Sequence, residues 1–335
     1  MQDSHRLRVR RGLLGGAGLA LATAIGLTPL AVQAQPDAWP VKPVRLIVNF
    51  PPGSSPDVLA RAISLPLYQA LGQSVVVENR AGASGMIGAD LVAKAPADGY
   101  TLLMTAGSTI TTNPFLYPRI AYDTEKDLVP VAAAARIALF LVVRPDLPVT
   151  NVKEFVAYLK ANPGKLTYGS AGNATGLHLA GEMLKSQAGV YALHVPYRGA
   201  SPALQDLLAR QIDFYFDPGI ALGQVRAGNL RMLGVATLQR SSAFPDVPTL
   251  AESGLKGFDA GTTHGFYAPA GTPPEIIARL NREINKILML PAVRTQIATI
   301  GAEPSPMTPR QFATLMADDS KRYGAVIKER GIKAD

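Results

Sequence analysis

Val44-Arg45-Leu46-Ile47-Val48-Asn49-Phe50-Pro51-Pro52-Gly53-Ser54-Ser55-Pro56-Asp57 is the stretch on which the architecture turns. Leu46–Val48 is short, apolar and rich in branched residues, which predicts a strand covered on both faces. Ser55 suits a helix N-cap and Pro56 the first helical position. Asp57 falls in the first turn, where an acid complements the dipole. Between strand and helix runs a loop of small residues that aims backbone N–H groups at whatever sits above the strand end. Such a loop is an anion site made of dipoles, and its tip carries no Lys or Arg. A similar unit recurs at Leu166-Thr167-Tyr168-Gly169-Ser170-Ala171-Gly172-Asn173-Ala174-Thr175-Gly176-Leu177-His178. Two cradles in one chain fit one small anion gripped from two sides. For each taken singly, an ordinary βα turn is the alternative.

Working outward, strand-like and helix-like runs alternate. Strands are expected near 44–50, 74–78, 100–105, 139–144, 166–168, 192–196, 212–216, 232–237 and 265–268. Helices are expected over 56–71, 86–95, 152–161, 177–188, 202–210, 219–227, 274–290 and 309–330. This alternation predicts an α/β architecture with mainly parallel sheets. Two apolar, Pro-bounded segments, Leu139–Pro145 and His264–Gly271, read as crossings between domains. They divide the chain into a discontinuous first domain, 35–142 plus 266–335, and an inserted second domain, 143–265. One cradle then lies in each, facing the other across a cleft at the carboxyl ends of the strands.

The first 34 residues read as a cleavable export signal, with an uncleaved membrane anchor as the alternative. Arg6, Arg8, Arg10 and Arg11 form a basic start, a Gly-interrupted apolar stretch follows, and Val32-Gln33-Ala34 is a small-residue cleavage site. The chain has no Cys, which excludes a lipid anchor at the cleavage point, disulfides and thiolate metal sites. Removing the segment takes away four Arg and one Asp and lowers the formal charge from +8 to +5. That charge is scattered, against a nucleic-acid partner. The His residues have no metal-ligand spacing, and neither a metal nor a cofactor is expected. Gly82-Ala83-Ser84-Gly85-Met86-Ile87-Gly88 imitates a nucleotide loop, but its glycine spacing is wrong and no P-loop Lys follows. Its glycines are read as serving close helix packing. No G-x-S-x-G elbow is present.

Read in order, a set of short motifs resembles the periplasmic solute-binding receptors of the tripartite tricarboxylate transporter family, the Bug-type proteins. The set comprises Trp39–Arg45, Phe50–Gly53 with Asp57, Val76–Ala83, Ala97–Leu103, Tyr168–Gly172 with His178, His194–Gly199, Pro245–Thr249 and Ala268–Pro273. The resemblance covers essentially the whole chain after residue 34. It implies a two-domain periplasmic binding protein, a Venus flytrap whose cradles pinch a ligand carboxylate partly through waters. It also implies a monomer in the periplasm that delivers its solute to membrane components of a transporter and catalyses no reaction. A sensory receptor of the same fold and a secreted hydrolase using Ser and His stand as alternatives. The family loop usually carries two successive glycines, and here Ser54 follows Gly53.

The residues expected at the ligand are Phe50, Pro52, Gly53, Ser54, Ser55 and Asp57 of the first cradle and Ser170, Ala171, Gly172, Asn173, Thr175 and His178 of the second. Ser108, Thr109, Tyr197 and Asp217, each just past a strand end, join them. Ser170, Asn173 and Thr175 also suit helix capping, Ser108 and Thr109 a capped helix start, His178 a packing or solvent position, Phe50 a core position, Asp57 a first-turn role, and Asp217 a turn. As a ligand group, Asp217 would suit an amine or hydroxyl and repel a second carboxylate. Arg198 pairs with a second ligand carboxylate or sits at the surface. His194 is expected in the core, and His264 has no assigned role.

Overall fold

A computed structural model describes residues 39–333. The expected export signal, 1–34, lies outside the described residues. The strands are β1 Val44–Val48, β2 Val75–Asn79, β3 Thr101–Thr105, β4 Leu128–Ile137, β5 Phe140–Val143, β6 Thr167–Ser170, β7 Leu193–Pro196, β8 Phe214–Asp217, β9 Arg231–Val235, β10 Thr262–Pro269 and β11 Glu303–Pro304. The helices are α1 Ser55–Leu71, α2 Met86–Ala93, α3 Gly107–Thr111, α4 Asn113–Leu116, α5 Val152–Ala161, α6 Gly176–Ala188, α7 Ala200–Leu208, α8 Leu222–Arg226, α9 Pro274–Leu288, α10 Pro291–Ala298 and α11 Pro309–Arg330.

They form two sheets, ordered β11-β4-β10-β3-β1-β2 and β7-β6-β8-β5-β9. Strands β2, β1 and β3 are mutually parallel, as are β7, β6 and β8. Strands β10, β4, β11, β5 and β9 pair antiparallel, so the sheets are mixed where mainly parallel pairing was expected. The physical reason lies in the crossings: the strands that carry the chain between sheets enter beside a neighbour running the other way. The chain leaves the first sheet after Ile137, enters the second at Phe140, leaves it after Val235 and returns at Thr262. The expected boundaries at 142/143 and 265/266 therefore fall inside β5 and β10, and each crossing lies a few residues earlier.

Alternation along the central strands explains the unbroken apolar runs. Leu46, Val48, Leu102, Met104 and Phe266 pack with α1, α9 and α10 on one face of the first sheet. Ile47, Leu103 and Tyr267 pack with α2 and with Phe312 and Met316 of α11 on the other. The second sheet has its own cluster around Phe140, Phe155, Tyr168, Phe214 and Phe216. Tyr323 and Ile327, from the far end of α11, belong to that second cluster. No helix among the described residues is long and apolar enough to cross a membrane.

Candidate functional site

The first cradle is built from β1, its loop and α1. The helix begins one residue earlier than the sequence predicts, with Ser54 in extended conformation at the N-cap (φ −72°, ψ 159°) and Ser55 already helical. Asp57 is buried and is the organiser of the loop. It accepts the Gly53 N–H at 2.9 Å, the Arg61 guanidinium at 3.0 Å and Asn79 Nδ2 at 2.9 Å. Burial pushes the Asp57 carboxyl up, but the bonds from Arg61, Gly53 and Asn79 together hold it below the usual range. Neither the Asp57 carboxylate nor the Gly53 N–H is therefore left for a ligand. Ser54 Oγ donates to Pro51 O at 2.7 Å, and Pro52 is exposed, its carbonyl accepting from Ser201 Oγ at 3.3 Å.

The second cradle follows β6. Gly172 (φ +123°) and Ala174 (φ +65°) turn the chain into α6, whose N-cap is Thr175. Thr175 Oγ1 donates to Gly172 O at 2.7 Å, and the Ala174 N–H donates to His178 Nδ1 at 3.1 Å. Ser170 Oγ bonds His194 Nε2 at 2.7 Å and accepts the Gly172 N–H at 3.1 Å. His178 and His194 stack with centroids 4.3 Å apart, and His194 stacks on Tyr168 at 4.8 Å. His194, expected in the core, is half-buried. Ser170 and His178 thus hold the loop's shape.

Both cradles open onto one cavity. Phe50, Ser54, Ser55 and Pro56 line it from the first, and Ala171, Thr175, Gly176 and Leu177 from the second. Ser108 of α3, Thr262 and His264 of β10, and Ala200 and Pro218 of the second half complete the wall. No Asp, Glu, Lys or Arg lines it. The cavity is narrow, about 30 Å³. The N-termini of α1 and α6 border this space through Ser55-Pro56 and Gly176-Leu177, and a helix N-terminus carries the positive end of the helix dipole.

Thr262 and His264 escape sequence reading. Their strand is brought to Ala106-Gly107 by the antiparallel pairing of β10 with β3, where Gly265 lies opposite Thr105. His264 is buried, and burial pushes its pKa down to about 3. Its Nδ1 accepts the Gly107 N–H at 3.4 Å, so the ring proton sits on Nε2 and is donated to Ser55 Oγ, 3.0 Å away. The Ser55 hydroxyl then keeps its own proton for the cavity. Thr262 Oγ1 is buried there with no protein partner.

A wider chamber of about 250 Å³ adjoins the cavity past Phe50 and Ala171. Gly82–Gly85, Tyr117, Gly172, Asn173, Tyr197 and Arg198 line it. Arg198 is exposed and forms no ion pair among the described residues. Tyr197 donates its hydroxyl to Asp206 at 2.7 Å.

Of the residues expected at the ligand, Phe50, Ser54, Ser55, Ser108, Ala171 and Thr175 line the inner cavity. Gly172, Asn173 and Tyr197 line the outer chamber. Pro52, Gly53, Asp57, Thr109, Ser170, His178 and Asp217 line neither. Thr109 is fully buried and lies 3.4 Å from Asn49 Nδ2. Asp217 is fully buried, accepts from Tyr215 and from the N–H groups of Gly219 (2.9 Å) and Ala221 (3.0 Å), and shapes the loop that carries Pro218. Burial pushes the Asp217 carboxyl up to about 7 against the lowering effect of those bonds. An added Cβ on Gly88 would lie 2.6 Å from that of Asn49, so this glycine permits close packing of α2 on the end of β1. Among the described residues no group of side chains could hold a metal ion.

Two α/β halves facing each other over a narrow, uncharged cavity, with a helix N-terminus on either side, define a binding protein of the two-domain periplasmic type. The family model described as the tripartite tricarboxylate transporter family receptor, TctC, matches residues 59–332, and the chain belongs to that family. Protein BugT of Bordetella pertussis is 40% identical over 324 residues, covering 96% of this chain and 98% of its own. A protein encoded in the tcbD-tcbE intergenic region of Pseudomonas sp. strain P51 is also 40% identical, over 97% and 96% of the two chains. Among solved structures, an R. palustris protein with adipate superimposes with a TM-score of 0.86 at 35% identity, over 88% and 99% of the two chains. MatC from Rhodopseudomonas palustris with bound malate gives 0.82 at 33% identity, over 86% and 100%. A TctC solute-binding protein from Polaromonas with no ligand gives 0.66 at 31% identity, over 87% and 99%.

Proposed function

We propose that this chain is a periplasmic receptor that closes its two halves on a small carboxylate and hands it to the membrane components of a tripartite tricarboxylate-type transporter. The observation that carries the reading is the convergence of both cradles on one narrow cavity. It offers the Ser55, Ser108 and Thr262 hydroxyls and two helix N-termini, and no charged side chain. Such a site suits a carboxylate held by short-range dipoles, with water filling the gaps. So little free space means that a solute enters when the halves part. The adipate and malate complexes superimpose more closely on this chain than the ligand-free Polaromonas protein does, at similar identity and coverage. That pattern favours the closed arrangement.

Ser55 beside His264 imitates the nucleophile and base of a hydrolase, but the proton runs the wrong way. His264 donates to Ser55 instead of accepting from it, and its depressed pKa makes it a poor base. Ser55 is therefore read as a binding hydroxyl. A thermal-shift and calorimetric screen across mono-, di- and tricarboxylates, aromatic acids and amino acids tests the reading. At least one carboxylate is expected to bind with a micromolar Kd, about −8 kcal/mol, and to shrink the scattering radius. Binding confined to uncharged or cationic solutes would overturn it.

A further inference from the structure

We propose that Ser84, Thr112 and Tyr117 form a hydroxyl latch that holds the second cradle in its closed position by its backbone carbonyls, and so sets affinity without touching the solute. This rests on the closing motion described above. All three precede the first crossing in the chain, and Tyr117 also packs against the core of the second sheet. Ser84 Oγ donates to Asn173 O, Tyr117 OH lies 2.9 Å from both Asn173 O and Ser84 Oγ, and Thr112 Oγ1 lies 2.6 Å from Ala174 O. None of the three lines the inner cavity, and Ser84 and Tyr117 border the outer chamber beside it. The peptide unit between Asn173 and Ala174 is thereby gripped at both ends, its oxygen by Ser84 and Tyr117 and its N–H by His178. That unit lies one residue before the Thr175 N-cap, so its orientation fixes where the first-turn N–H groups of α6 point.

The latch is built to move. Thr112 Oγ1 also lies 2.9 Å from Ser108 O, four residues back in its own helical segment. One hydroxyl carries one proton, so Thr112 has a resting acceptor within the first half and a second acceptor across the cleft. Ser84 is held forward by left-handed backbone at Ala83 (φ +46°) and at itself (φ +53°), conformations that cost free energy in non-glycine residues. Opposite it stands Gly172, where an added Cβ would lie 2.9 Å from Ser84 Oγ. Bonds made only in the closed state raise its population, and apparent affinity scales with that population for every ligand alike.

The chain has no native Cys, so spin labels placed by Leu65→Cys and Tyr191→Cys, exposed positions on the two halves, report their separation. Pulsed electron resonance is recorded on the otherwise wild-type protein and on Thr112→Val, Tyr117→Phe and Ser84→Ala variants, without solute and with adipate or malate. Each variant is expected to shift the solute-free distribution toward longer distances. Each is also expected to weaken adipate and malate by the same factor, about three- to tenfold per hydroxyl. Thr112→Ser should restore the parent behaviour. Unchanged solute-free distances in all three variants would overturn the latch. So would a loss of affinity that differs between the two acids without a change in distance, since that marks direct ligand contacts. If neither acid binds the parent, the carboxylate reading is in question for these probes, while the solute-free distances still decide the latch.

Discussion

His264 directs its only proton at Ser55, so the Ser55 hydroxyl is a donor fixed in place before any solute arrives. Ser55→Ala is expected to weaken carboxylate binding by about 1.5–3 kcal/mol, the scale of a hydrogen bond to a charged group. Arg198→Gln, at an exposed residue of the outer chamber, should cost less than about 1 kcal/mol. Calorimetry on both variants checks the contrast; a larger loss at Arg198 would mean that a charge pair dominates recognition. The strand-loop-helix form of each cradle was legible because a strand, small residues and a capped helix follow one another in sequence, while which of their side chains face the cavity was not. His264 was not, because its partner Gly107 is 157 residues away and only strand register joins them. Two buried groups also fix the pH response. The Asp217 carboxyl, raised to about 7, contributes stability that is complete below its unfolded value of 3.8 and lost as pH rises through 7. The His264 ring, lowered to about 3, contributes stability that is complete above 6.5 and lost as pH falls toward 3. Between about pH 4 and 6.5 the two slopes oppose each other. Asp217→Asn should therefore unmask a rise in unfolding free energy of about 1–3 kcal/mol from pH 4.5 to 6.5, relative to the parent. Equal slopes in urea titrations of parent and variant would refute this assignment.

Among the elements, β4 was invisible in the sequence. Its ten residues include Ala132-Ala133-Ala134-Ala135, which intrinsic propensity reads as helix or as nothing in particular. The strand exists because β10 and β11 flank it and its small side chains let α9 and α11 approach both faces. The short α4 was missed for a related reason, four residues carrying no readable period, while α3 was legible only as the capped helix start that Ser108 and Thr109 suggest. The start of α7 is different. Gly199 stands before it at φ +138°, and an added Cβ would lie 2.6 Å from Cδ of Pro51 in the facing loop. Gly199→Ala is expected to hold the halves apart and weaken solute binding at least about tenfold, beyond a backbone cost of about 1–2 kcal/mol in stability. Calorimetry beside a urea titration separates the two effects. Affinity equal to the parent's would mean that the Pro51 loop yields.

For the whole molecule, the ordered motifs from Trp39 to Pro273 made the two-sheet α/β plan legible, since each marks a strand end, a turn or a helix start in sequence order. The mixed strand directions were hidden because no local residue records which way a neighbour runs. The last element has a consequence for how the protein comes apart. α11 is a 22-residue rod, about 33 Å long, with Phe312 and Met316 in the core of the first sheet and Tyr323 and Ile327 in that of the second. Arg322 bonds Asp259 at 3.0 Å, and the Tyr323 hydroxyl donates to Gly261 O in the returning crossover. Neither core can melt without exposing apolar surface on the rod that the other shares. Heating is therefore expected to give a single calorimetric peak whose van't Hoff and measured enthalpies agree, although the architecture contains two sheets. Tyr323→Ala, by loosening the rod from the second core, should split or broaden that peak. Two resolved transitions in the parent would show that the cores melt independently.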